Sequence, residues 1–162
     1  MAKIVMKGIE EYANRLSSLF KDTEGIVRKA VFRGAAVVAD EIKSGLKAIP
    51  TIRNNEIGTE SNPISGVTKK QKSDLIEAFG LAPIENKGGY IQTKAGVDGY
   101  GSVPTKKYPN GVPNAMLMRS VESGTSFRKK TPVFRPAVNR AKERCITEMK
   151  KTIDEELGKI MM

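Results

Sequence analysis

A chain of 162 residues, 39% hydrophobic and 28% charged, has the length and composition of one globular domain with a buried core. Histidine is absent and Cys145 is the sole cysteine, which excludes His-based acid–base and nucleophile pairs, His metal sites and an intrachain disulfide. The formal charge of +10 with a pI near 9.7 makes a polyanion a natural neighbour and fits a solvated lysine-rich surface equally well.

The start, Met1-Ala2-Lys3-Ile4-Val5-Met6-Lys7, lacks the apolar segment of a secretory signal, so a protein that stays in a cytosol is expected. No apolar run reaches the roughly 20 residues needed to span a bilayer, so no membrane association is expected. Ile9, Tyr12, Leu16 and Leu19 recur at three and four residues and predict a helix with one apolar stripe. Asp22-Thr23 predicts a break, after which Thr23 caps a longer helix carrying Ile26, Val27, Ala30, Val31, Val38, Ile42 and Leu46 and ending before Pro50. Gly34 and Ala35-Ala36 inside it fit either close approach of another backbone or ordinary packing of small residues.

Residues 51–67 are polar and without period, which predicts a long mobile loop. Thr68 then caps a short helix through Lys69, Lys70, Gln71 and Lys72 to Phe79, and Gly80 closes it. Leu81 to Glu85 and Tyr90 to Val97 flank Asn86-Lys87-Gly88-Gly89 and predict two antiparallel strands. Two strands alone are marginal, so further strands are expected from the residues after Val97, from the loop or from a neighbouring subunit.

Gly and Pro forbid a regular element over 98–113. Pro113 opens a helix over Asn114 to Ser123 that Gly124 stops. A final helix runs from Phe134 or Pro136 to the end on a stripe of Val138, Ala141, Cys145, Met149, Ile153, Leu157 and Ile160. Its other face, with Lys142, Glu143, Lys150, Lys151, Asp154 and Glu155, reads as solvated, and Cys145 as a small buried hydrophobe. The expected fold is α+β in a single domain over 1–162, with long N- and C-terminal helices packed on a small antiparallel β-sheet and a long flexible loop.

Val121-Glu122-Ser123-Gly124-Thr125-Ser126-Phe127, followed by Pro132-Val133-Phe134-Arg135-Pro136-Ala137, resembles the siphophage head-to-tail joining or tail-completion family that includes relatives of the lambda minor tail protein Z. That family carries a Glu-x-Gly-Thr step and then a Pro-Ala opening into a C-terminal helix. Ser123 and Val133 depart from it, since the family favours a bulky residue at the first place and Phe at the second. Read on the residues alone, Gly124 ends a helix, Thr125 or Ser126 offers a hydroxyl to free backbone groups, and Glu122 accepts bonds from loop amides. Phe134 packs just ahead of the final helix, whose first turn holds Pro136 and Ala137.

The resemblance implies a tail-terminator-like fold and a structural role in a bacteriophage virion. It implies a homo-oligomeric ring, six-fold, at the neck between the head-closure (stopper) or adaptor protein and the tail tube protein. The subunit would occupy the host cytoplasm before assembly. Genomic DNA would pass through the lumen without sequence specificity, and Lys69, Lys70, Lys72, Lys106, Lys107, Arg128, Lys129 and Lys130 are the candidates to face it or an acidic partner. No enzymatic activity, metal or cofactor is expected. A tail-terminator ring capping the tube is the nearest alternative, and a non-specific DNA-binding protein acting outside the particle is the alternative from another class. A metal-dependent nuclease would need convergent acids, whereas Asp40-Glu41 and Asp154-Glu155-Glu156 read as solvent-facing on helices.

Overall fold

The computed structural model describes residues 9–54 and 56–162, and the side chains of all of these but residues 9, 10 and 13. The chain order is α1 (Ile9–Ala48), β1 (Thr51–Ile52), β2 (Val67–Thr68), α2 (Lys69–Ala78), β3 (Phe79–Leu81), β4 (Glu85–Lys87), β5 (Tyr90–Gln92), β6 (Ala95–Val97), α3 (Asn114–Ser123) and α4 (Phe134–Met161). The fold is α+β, with long terminal helices and a small antiparallel sheet.

The break predicted at Asp22-Thr23 does not occur, and α1 runs unbroken for 40 residues, about 60 Å. The Thr23 hydroxyl donates to the Leu19 carbonyl at 2.7 Å, one turn back, so a residue that caps helices elsewhere is satisfied inside this one. Tertiary support holds the helix through this region. α4 lies antiparallel along α1, from the Arg15 Nη1 bond to the Met161 carbonyl at one end to the Glu41 ion pairs with Arg140 and Arg144 at the other.

Ile26 and Ala30 are buried on α1, and at Gly34 an added Cβ would stand 2.5 Å from Met149 Cγ and 3.1 Å from Cys145 Sγ. The neighbours of Gly34 are the side chains of Met149 and Cys145, so of the two readings of the small-residue site ordinary packing is the one found there. Tyr12, expected in the apolar stripe, is exposed, while Leu16 and Leu19 are half-buried. Ile9 lies outside the described side chains.

On α4 the expected stripe needs correction. Val138 is exposed, and the deeply buried positions are Ala137, Ala141, Thr152 and Glu156. Thr152 donates its hydroxyl to the Glu148 carbonyl at 2.8 Å. Glu156, read from sequence as solvent-facing, is 8% exposed and takes Lys29 Nζ at 2.7 Å and Lys159 Nζ at 2.6 Å. Cys145 is half-buried with its Sγ 3.9 Å from Met149 Sδ, and burial pushes its thiol pKa up, away from the reactive thiolate.

Hydrogen bonds from Lys159 and Lys29 hold the Glu156 carboxyl at about 2, below its ordinary value of 4.5. A carboxylate depressed in the folded state stabilises the protein fully above its unfolded value and loses that contribution as pH falls from about 4.5 through about 2. Glu156→Gln is therefore expected to show a smaller fall in urea midpoint between neutral and acidic pH than the parent chain. An identical fall would remove the carboxylate from the account.

The second structural layer sits on the C-terminal half of α1. Ile42, Leu46 and Ile49 pack with Val67, Leu75, Phe79, Leu117, Met118 and Val121 into the main core. Thr68 caps α2 as expected, in a reciprocal capping box with Gln71. Gly80 does not close α2. The chain turns extended at Phe79, whose buried ring meets Phe134 of α4 edge-on at 6.0 Å, and Gly80 instead pairs with Gly96 in the sheet.

The hairpin forms where expected, with a two-residue Gly88-Gly89 connection at φ 60° and 90°, values of a type I′ turn that side chains other than glycine rarely reach. Its ladder continues through β3 and β6 in the register Phe79–Val97, Gly80–Gly96, Leu81–Ala95. No third strand joins this hairpin among the described residues. The 51–67 segment contributes a separate parallel pair, β1 with β2, and among the described residues those after Val97 contribute only isolated bridges, Tyr100 with Pro113, Thr125 with Arg128 and Arg128 with Ile64. The hairpin finds its support on α1 instead, where Arg28 Nη1 donates to the Ile84 carbonyl at 3.1 Å.

Candidate functional site

The residues singled out by the resemblance form one corner between α3 and α4. α3 starts at Pro113 and stops at Gly124, whose φ of 74° and N–H bond to the Ser120 carbonyl end the helix as the sequence predicts. Thr125 and Arg128 then exchange backbone bonds of 2.9 and 3.3 Å, closing a tight turn in which the Thr125 hydroxyl accepts the Phe127 N–H at 3.2 Å. The Thr131 N–H returns to the Val121 carbonyl at 2.7 Å. Phe127 is half exposed.

Glu122 connects the two halves of the motif. One carboxylate oxygen accepts the N–H groups of Val133 at 2.6 Å and Phe134 at 3.0 Å, and the other accepts Arg135 N–H at 3.1 Å. These are donors that the first turn of a helix leaves without partners, and α4 has no side-chain cap of its own at Val133. A carboxylate from the end of α3 therefore caps α4 and lies at the positive end of its dipole. Pro136 sits in the first turn, where its missing N–H removes no bond, and Ala137 is fully buried beneath it.

The corner also holds the long segment before α2. Ile64 exchanges backbone bonds with Phe127 and Lys129 at 3.0 and 2.8 Å, and Arg128 Nη1 donates to the Gly66 carbonyl. The segment predicted as a mobile loop is thus pinned near its C-terminal end, and Val67 N–H is tied to the Pro50 carbonyl at 3.0 Å. Arg128 is half-buried, and burial lowers the pKa of its guanidinium.

The basic candidates divide into two groups. Lys72 donates to the Ile49 carbonyl at 2.9 Å, satisfying the end of α1, and Arg128 is engaged as described, so these two hold the fold together. Lys69, Lys70, Lys106, Lys107, Lys129 and Lys130 are exposed. Lys106 and Lys107 top a turn closed by the Thr105 and Tyr108 backbones, with Lys107 Nζ 5.6 Å from the Tyr108 ring centre. Lys130 joins Arg135, Glu122 and Ser123 around a cleft of about 290 Å³.

Sequence reading by runs of adjacent cations missed Arg119 and Arg135, each isolated in the chain yet exposed on α3 and at the start of α4. A running charge balance, insensitive to adjacency, would have found both. Of the acids in the two helical clusters, Glu41 holds Arg140 and Arg144, Glu155 holds Arg33 and Glu156 holds two lysines, while Asp40 and Asp154 are exposed. Among the described residues no three potential ligands gather. No protein-family model, curated protein or solved structure matches the chain.

Proposed function

We propose that this chain is a non-enzymatic structural subunit of a tailed-phage particle, which assembles with copies of itself into a ring at the neck and joins the tail to the DNA-filled head. The observation that carries the reading is the Glu122 carboxylate. The two sequence segments resembling the tail-completion family, Glu122 to Thr125 and Pro132 to Ala137, meet through its three bonds to the start of α4. They act as one structural unit, although six residues separate them in the chain.

A second feature favours assembly. Among the described residues the hairpin has two strands only, and Phe20, Phe32 and Tyr90 are 82%, 60% and 80% exposed. Large apolar side chains and unpaired strand edges left to solvent are features that contact with another chain would cover. Light scattering after size exclusion, with negative-stain imaging, tests the reading: closed rings are expected, and mixing with tails and filled heads is expected to yield joined particles. A strictly monomeric chain that joins neither component would overturn it.

A further inference from the structure

Three stretches of chain meet at the root of the 102–111 loop. α2 brings Asp74, the residues past β6 bring Gly99 to Ser102, and the entry to α3 brings Gly111 to Asn114. Backbone bonds from Gly101 N–H to the Val112 carbonyl at 2.8 Å and from Asn114 N–H to the Gly99 carbonyl at 3.0 Å hold the two loop ends together. The Asp74 carboxylate accepts Ser102 N–H at 2.8 Å and the Ser102 hydroxyl at 2.8 and 2.9 Å. Asn114 Nδ2 donates to the Asp98 carbonyl at 2.9 Å, which fixes the way its amide faces, since the reverse would set oxygen against oxygen.

Two independent features of this root point to a ligand. Asn114 is 3% exposed, and its Oδ1 is the only buried side-chain nitrogen or oxygen among the described residues without a hydrogen-bond partner. Buried acceptors are ordinarily met by a donor, a water or an ion. The second feature is Gly101. Its φ lies outside the left-handed region, so its backbone does not demand glycine. A Cβ built on it would stand 3.2 Å from Asp74 Oδ2, 3.3 Å from Asn114 Oδ1 and 3.4 Å from the Val112 carbonyl oxygen. Glycine keeps open a cradle whose three nearest atoms are all acceptors, one of them carrying negative charge.

We propose that this cradle is a site for a calcium-type divalent cation, held by the Asp74 carboxylate, the Asn114 side-chain carbonyl and the Val112 backbone carbonyl. The site stands whether or not the chain forms a ring. Carboxylate, amide and backbone oxygens are the ligands that calcium takes at about 2.3–2.6 Å in irregular geometry, with water in its remaining places. The spacings at Gly101 are longer than that, so the ion seats ahead of the glycine, nearer the oxygens. Magnesium demands a regular octahedron and sheds water reluctantly, and zinc favours nitrogen and sulfur, which the cradle does not offer.

No three Asp, Glu or Cys side chains gather among the described residues, and this site draws instead on one carboxylate with neutral oxygens. Asp74 is also in none of the ion pairs among the described residues, in a chain with 28 lysines and arginines. It is half-buried beside the exposed Ser102, which leaves the ion a path from solvent. With a single charged ligand the affinity is expected to be weak, at a Kd of about 10⁻⁴ to 10⁻³ M. The bound ion ties α2 to both ends of a loop that has no regular element of its own.

The test is thermal melting of the full chain after dialysis against a chelator, titrated with calcium chloride and, at matched ionic strength, with magnesium chloride and sodium chloride. Calcium at about 10 mM is expected to raise Tm by about 3–10 °C, and the other two salts by less than half as much. Asp74→Asn, which keeps the shape and can still accept from Ser102, is expected to weaken the calcium response at least about tenfold. Gly101→Ala fills the cradle on an ordinary backbone and is expected to abolish the response. Asp154→Asn, exposed on α4 and outside the cradle, is expected to respond within about twofold of the parent chain.

A cooperative melt in chelator establishes that each variant is folded, and if Gly101→Ala does not fold, Asp74→Asn decides alone. Terbium luminescence gives a second readout, because Tyr100 adjoins Gly101 and can sensitise a bound ion. Equal rises in the three salts mark charge screening only and overturn the proposal. So does a calcium response that Asp74→Asn keeps in full, or no response at all, which would leave water as the partner of Asn114.

Discussion

Glu122→Ala is expected to lower the stability of the fold by about 3 kcal/mol in urea unfolding at neutral pH. Loss of an ordinary helix cap costs about 1 kcal/mol, but here one carboxylate receives three N–H groups, two of them from half-buried or buried residues. Hydrogen bonds to a charged group contribute about 1.5–3 kcal/mol each, and they are not additive once water reaches the freed donors. The helix dipole loses its counter-charge as well. Glu122→Gln keeps an oxygen that can accept one or two of these bonds, and a loss of about 1 kcal/mol is expected. A loss from Glu122→Ala within the roughly 0.5 kcal/mol of an ordinary surface substitution would show that the carboxylate does not hold the corner. Under the proposed function the same variant is expected to lose head-to-tail joining before it loses secondary structure.

Gly34→Leu is expected to be nearly as damaging, at about 3 kcal/mol, while Gly34→Ala stays close to neutral. The pair separates two opposed effects. Alanine in a helix interior gains about 1 kcal/mol over glycine, and its Cβ would stand 2.5 Å from Met149 Cγ and 2.9 Å from its Sδ, the far end of a side chain that can turn aside. The remaining neighbour, Cys145 Sγ at 3.1 Å, has less room to yield. Leucine has no such escape. Its branched end must push α4 away from α1, parting the seam that runs from Ala30 through Ala141 and straining the ion pairs at Lys29 and Arg33. Thermal melts of both variants decide the matter: equal and small shifts would show that the helices are not in contact at this position.

Much of the site was legible because its chemistry is local. Thr68 and Gln71, three residues apart, can form a capping box without help from the rest of the molecule. Gly88-Gly89 is a turn wherever strands flank it, and Gly124 stops a helix by its own backbone freedom. The bond acceptors of the corner were foreseen in kind, since a carboxylate beside a helix-ending glycine has amides within reach. Which amides it would reach was not foreseen, because the first turn of α4 is brought to Glu122 by the Thr125 turn and by the burial of Val133 and Ala137.

The failures share one cause. Asp22-Thr23 carries a strong stop signal, worth about 1 kcal/mol, and it is outweighed by a neighbouring helix packed against α1 from Arg15 to Glu41. Gly80 has the right residue type for a helix end, yet the ring of Phe79 is worth more buried against Phe134 than any local cap. Glu156 reads as one more surface acid, and its burial is made tolerable by Lys159 one turn on together with Lys29, 127 positions away in the chain.

The amino-acid order alone settles what depends on near neighbours: where helices begin and end at strong caps, where the hairpin turns, that no histidine chemistry is available, and that the charge balance is positive. The tertiary structure settles what depends on distant partners. It decides that α1 is one helix, that Lys72 and Arg128 are spent on carbonyls at Ile49 and Gly66, and that the six other basic candidates stand exposed. The physical reason is that backbone preferences amount to about 1 kcal/mol and act over a few residues. Burial of a side chain or satisfaction of a polar group is worth several times as much, and its partner can lie anywhere in the chain.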